Sequence, residues 1–178
     1  MARRLAFSSI AMALTVVCLF GASTLPTGRV ALMAITSVFG ALIISEYGVK
    51  DGWIHYIGVS ILSLLLIPKK MMVLIYILFL GYYPVIKLYI ERLNRRWLEW
   101  IIKIVVFNVI LVTAYTIFKL FLMPYFNSAI VSIVITYLNF VIFALEIIFI
   151  LYDYILSYII TYYNRNLRER LNHGGINE

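Results

Sequence analysis

Two histidines, one cysteine and two aspartates are nearly all that this 178-residue sequence offers to metal or acid–base chemistry, and their spacing fits neither. His55 stands one turn into an apolar run and His173 in a polar tail, so no H-E-x-x-H pair forms. Asp51 falls in a turn and Asp153 far along the last apolar run, which argues against paired-aspartate proteolysis. Cys18 is alone among apolar residues and has no partner for an internal disulfide or metal cluster. No P-loop, G-x-G-x-x-G or G-x-S-x-G is present. The expectation is a non-enzyme with no metal and no cofactor.

Chemistry of binding is better represented. Glu146 lies in FVIFALEIIFILYDY with apolar neighbours on both sides, and it needs a partner or a proton. Lys103 is at a compatible depth for an ion pair; a proton or ion relay is the alternative. Lys119 and Tyr115 share a helix face at i, i+4, where Lys119 either snorkels outward or presents a cation to an anionic solute. STLPTGR contributes Thr27 and Arg29, and MPYFNS contributes Tyr125 and Asn127. With Tyr76 and Asn139 these make a candidate solute pocket, largely aromatic with a few polar contacts. Tyrosine also forms interfacial belts, and this chain has 14 of them, so each one alone has a blander reading.

These residues must be positioned by membrane helices. The chain is 64% apolar and 13% charged, with a mean hydropathy of +1.00. A soluble domain carries roughly a quarter charged residues, so this is an integral membrane protein, expected as an all-α bundle of six transmembrane helices. The spans are read as 5–24, 30–46, 53–67, 71–89, 101–123 and 129–163, joined by LPTGR, EYGVKDG, PKK, the stretch GYYPVIKLYIERLNRRWLEW, and PYFNS. The N-terminus resembles a signal peptide but is read as a retained first helix. The third span is short and must borrow flanking residues or stop short of one surface. The last has about 35 residues, roughly 50 Å of helix, so it protrudes, bends near Asp153, or breaks.

Orientation follows from Lys and Arg. With the N-terminus inside, the inner segments hold Arg3, Arg4, Lys50, Arg92, Arg95, Arg96, Arg165, Arg168 and Arg170, against Arg29, Lys69 and Lys70 outside. Six spans then place both termini in the cytoplasm, followed by a polar tail over 164–178. Residues 85–100 alternate Ile, Leu and Trp with Lys, Arg and Glu, the pattern of an amphipathic segment on the membrane surface. The net charge of +7 is absorbed by this topology, and no nucleic-acid partner is expected.

The first span carries a smooth stripe, Ala6, Ser9 and Ala13, that lets another helix approach closely, within the bundle or from another subunit. With RRLAFSSIAMAL at its start, about 180 residues and six spans, the chain resembles the substrate-binding S components of energy-coupling-factor (ECF) transporters. The resemblance implies docking through Ala6, Ser9 and Ala13 onto a transmembrane coupling subunit driven by two ATPases. It also implies a vitamin-like solute in the outer half, beneath the loops LPTGR and PKK. Three other readings stand beside it: an envelope-machinery scaffold similar to the MreD family, a lipid or polyprenyl-phosphate handling protein, and a small carrier using Glu146. Membrane lipids are partners in every reading, and the bacterial cytoplasmic membrane is the expected location.

Overall fold

A computed structural model describes residues 2–93, 95–117, 119–120 and 137–167. Every regular element among them is helical, and six helical stretches are long and apolar enough to cross a membrane: Ala2–Thr24, Arg29–Tyr47, Val49–Leu66, Lys70–Glu91, Trp97–Ile117 and Phe140–Arg165. The described residues are therefore all-helical, with six helices whose length and composition suit a multi-pass membrane protein. It divides into two compact units, Met1–Tyr89 with Ile155–Glu178, and Ile90–Tyr154.

The first unit is built on α1 (Ala2–Thr24), α2 (Arg29–Tyr47) and α3 (Val49–Leu66), each packed on the other two. Ala11, Thr15, Leu19 and Ala22 of α1 recur every three or four residues and are buried, forming one helix face. The α1–α2 turn follows from Pro26, which cannot continue a helix, and from Gly28 at φ 75, a left-handed conformation that glycine adopts without strain. The expected loop EYGVKDG contracts to one residue. Gly48 alone joins α2 to α3, at φ 91 and ψ −177, and its N–H bonds to the Ile44 carbonyl at 3.0 Å. The third span thus gains Val49, Lys50, Asp51 and Gly52, ends one residue earlier at Leu66, and reaches 18 residues. Close approach of α2 and α3 depends on Gly52, where a methyl group would run into the Ile44 side chain.

Past α3, Ile67 is extended (φ −95, ψ 121), the conformation a following proline favours. The fourth crossing is interrupted. It consists of α4 (Lys70–Ile75), a π-helical turn (Tyr76–Leu80), and α5 (Tyr83–Glu91). Pro84 sits in the first turn of α5, where its missing N–H costs least. The carbonyls loosened by the wide turn are capped: the Tyr56 hydroxyl donates to Ile77 O at 3.0 Å, and the Tyr82 hydroxyl to Leu78 O at 2.6 Å. Gly81 fills the space between these rings, since a Cβ there would lie 2.6 Å from Tyr56 Cδ2 and 2.9 Å from Tyr76 Cε1.

The second unit is organised by α6 (Arg96–Ile117) and by α7 (Leu138–Tyr162) as far as Tyr154. Phe107 stacks on Phe149 with centroids 4.2 Å apart and planes at 6°. The last crossing is one continuous helix through Asp153, with no break there, and it ends in a π-helical turn, Tyr163–Leu167.

Candidate functional site

The strongest polar constellation lies in the second unit. Lys103 Nζ pairs with Asp153 Oδ2 at 2.8 Å and with Glu91 Oε1 at 3.2 Å, and it stands 5.7 Å from the Trp100 ring centroid. Lys103 is 5% exposed and Asp153 2%, so both charges are withdrawn from any solvent. Paired charges of this kind lock helix register, because removing one partner leaves the other buried and uncompensated.

The expected Lys103–Glu146 pair is not formed. Moving four residues along α6, from Lys103 to Phe107, is matched by four residues backwards along α7, from Asp153 to Phe149. In this antiparallel register Glu146 lies seven residues beyond Asp153, about 10 Å further along the axis. There it meets Asn108, whose Nδ2 is 3.4 Å from Glu146 Oε1 and also donates to Ile104 O at 3.0 Å.

Three further polar contacts in the first unit join residues far apart in sequence. The Arg4 guanidinium grips Asp51 with both arms, Nε to Oδ1 at 3.1 Å and Nη2 to Oδ2 at 2.5 Å. Asp51 therefore belongs to the buried face of α3 and not to a loop. His55, 1% exposed, places Nε2 3.3 Å from Thr15 Oγ1. Because that hydroxyl donates to the Ala11 carbonyl at 2.7 Å, the imidazole must be the donor to Thr15. Lys87, also 1% exposed, donates to Ser157 Oγ at 2.6 Å. The alternating stretch 85–100 is thus divided: Val85, Lys87 and Ile90 are buried, whereas Leu93, Arg95 and Trp97 are exposed, Trp97 by 86%.

The residues read as solute contacts are placed as follows. Thr27 is exposed and Arg29 half-buried in the α1–α2 turn, where Arg29 Nε caps the Leu25 carbonyl at 2.7 Å. Tyr76 is 1% exposed inside the π-helical turn, its ring 6.4 Å from that of Tyr56. Tyr115 is exposed in the last turn of α6, and Lys119, two residues past the end of that helix, is exposed as well. Asn139 lies in the first turn of α7. Tyr125 and Asn127 lie outside the described residues. A shallow groove of about 470 Å³ in the second unit is lined by Ile104, Val105, Asn108, Val109, Val112 and Thr113, none of them an expected solute contact. Ala6, Ser9 and Ala13 are all exposed, on the side of α1 away from Ala11, Thr15 and Leu19.

Sequence reasoning missed the roles of Lys87, His55 and Asp153. One signal was available for the last. Asn139, Glu146 and Asp153 recur every seven residues, and Ser157 follows one turn later, which draws a polar line down one side of α7. Among the described residues no group of three or more His, Cys, Asp or Glu is arranged to hold a metal. No protein-family model, characterised protein or solved structure matches this chain.

Proposed function

We propose that this protein is the membrane-embedded, substrate-binding subunit of an uptake system of the ECF type, importing a vitamin-like small solute. In this reading a transmembrane coupling subunit docks on α1, ATPase subunits drive transport, and both termini face the cytoplasm of a bacterial cell. One observation carries it. The helix buries Ala11, Thr15 and Leu19 inside its own unit and leaves Ala6, Ser9 and Ala13 exposed. A smooth stripe not consumed by internal packing suits a helix from another subunit.

Affinity purification of the full-length protein from native membranes, with mass spectrometry of proteins and small molecules, tests this. Ser9→Trp or Ala13→Leu should abolish copurification of a membrane coupling subunit and ATPases while the monomer stays folded. If those partners never copurify with the wild type, the reading fails. Once a solute is identified, Lys119→Met and Arg29→Gln should weaken its binding about ten- to a hundredfold, the cost of a lost charge-assisted hydrogen bond.

A second reading, an envelope scaffold similar to MreD, is favoured by a different observation. Tyr76 is sealed in packing and Arg29 is engaged with its own backbone. A scaffold needs helix partners but no solute pocket. Copurification of envelope-synthesis proteins without ATPases or solute is its signature.

A further inference from the structure

Glu146 is a carboxyl group within an apolar run, and among the described residues no cation pairs with it. It lies six residues into the apolar run Phe140–Arg165, and its partner Asn108 falls close to the middle of the run Trp97–Ile117. Lys103, the natural candidate, is committed to Asp153 and Glu91. From residue 120 to residue 164 the sequence contains no Lys, Arg or His, so that whole stretch has no cation to offer. Lys119 is eleven residues beyond Asn108, about three helical turns away. Asn108 itself has nothing more to give, since one amide hydrogen goes to Glu146 and the other to Ile104 O. A carboxylate offers about four acceptor positions, and Asn108 fills one.

Neither Glu146 nor Asn108 is fully buried, and the residues around them on both helices, Val105, Val109, Phe143 and Ile150, are exposed and apolar. The pair therefore forms a polar point on a surface otherwise suited to lipid or to another helix. Ionisable groups inside a span face a partner or a functional path, because hydrocarbon solvates them poorly. We infer that the Asn108–Glu146 pair is a docking point for a transmembrane helix of a partner protein that carries a Lys or Arg at mid-membrane. Charge complementarity selects this occupant, and the surrounding aliphatic residues supply the packing surface. The inference goes beyond the proposed transport role and stands independently of α1, so loss of the small-residue contact leaves it untouched.

The probe is a labelled synthetic transmembrane peptide, leucine-rich with a single central Lys, mixed with the full-length protein in phosphatidylcholine vesicles and followed by energy transfer. Wild type should bind it about tenfold more tightly than the same peptide with Leu at the centre. Moving the Lys to the peptide's end should remove the advantage, a comparison that needs no variant protein. Glu146→Gln should bind both peptides alike, while Glu146→Asp keeps the preference. Equal affinity of wild type for the Lys and Leu peptides overturns the inference, as does a preference that survives Glu146→Gln. Efficient labelling of Glu146 in vesicles by a hydrophobic carbodiimide would also overturn it, assigning the residue to a neutral, lipid-facing acid. So would tight self-association of the wild-type chain that outcompetes the Lys peptide.

Discussion

The two units share the same problem, polar groups in an apolar chain, and differ in what carries the contact between their helices. In the first, hydroxyls fold back onto their own helices: Thr15 to Ala11 O, Ser23 to Phe20 O, Thr36 to Met33 O and Ser37 to Ala34 O. Such bonds are local and leave the helix faces smooth, so α1, α2 and α3 approach closely through Gly52 and small side chains. In the second, the contact described between α6 and α7 is carried by a buried ion pair and a stacked phenylalanine pair. Burial differs as well: 22%, 39% and 22% of the apolar windows of α1, α2 and α3 are buried, against 11% of that of Trp97–Ile117. Local hydroxyl bonds tolerate substitution, whereas a charge pair specifies one register and penalises the loss of either member.

The comparison can be broken by mutation. The largest effect is expected at the ion pair. Lys103→Met should destabilise the protein by about 3–5 kcal/mol, because the buried Asp153 carboxylate loses its cation, and Asp153→Leu should cost less, because Glu91 still pairs with Lys103. Combining the two should recover most of that loss. Equilibrium unfolding in mixed micelles measures it, and equal costs for the single and double variants would remove the distinction between the units.

Next comes Gly48→Ala. The residue's φ of 91 lies outside what an L side chain adopts readily, and strain of this kind costs about 1–3 kcal/mol. There is open space at the Cβ position, so any loss is backbone strain alone. A variant as stable as wild type would show that the one-residue turn relaxes easily. The smallest effects belong to the hydroxyls. Tyr56→Phe uncaps Ile77 O and should cost about 1 kcal/mol, as should Thr15→Val beside His55. Losses there as large as those at Lys103 would mean that the first unit is held by its polar contacts after all.

How much of this was legible depends on distance along the chain. The six crossings were readable because each is a continuous apolar run bounded by Pro, Gly or charge, a local signal. The α2–α3 connection was overestimated because Lys50 and Asp51 look like loop residues until Arg4 is seen to grip Asp51. Lys87 was read as part of a polar surface face, and its partner Ser157 is 70 residues away. The choice between Glu146 and Asp153 as partner of Lys103 required the α6–α7 register, which the Phe107–Phe149 stack defines and composition does not encode. Among the expected solute contacts, the adjacent pairs Thr27–Arg29 and Tyr115–Lys119 could be grouped from spacing alone. Their relation to Tyr76 was a question of tertiary placement.

The single-residue joint at Gly48 also bears on how the protein is made. A one-residue link leaves almost no chain between the two helices, so α2 and α3 are expected to integrate together as one helical hairpin. Asp51 lies in the first turn of α3, where a lone carboxylate facing hydrocarbon would be poorly solvated. Its counter-charge has already been synthesised: Arg4 emerges from the ribosome 47 residues earlier. Arg4→Gln is expected to raise the fraction of nascent chains in which the α2–α3 hairpin fails to integrate, before any question of folded-state stability arises.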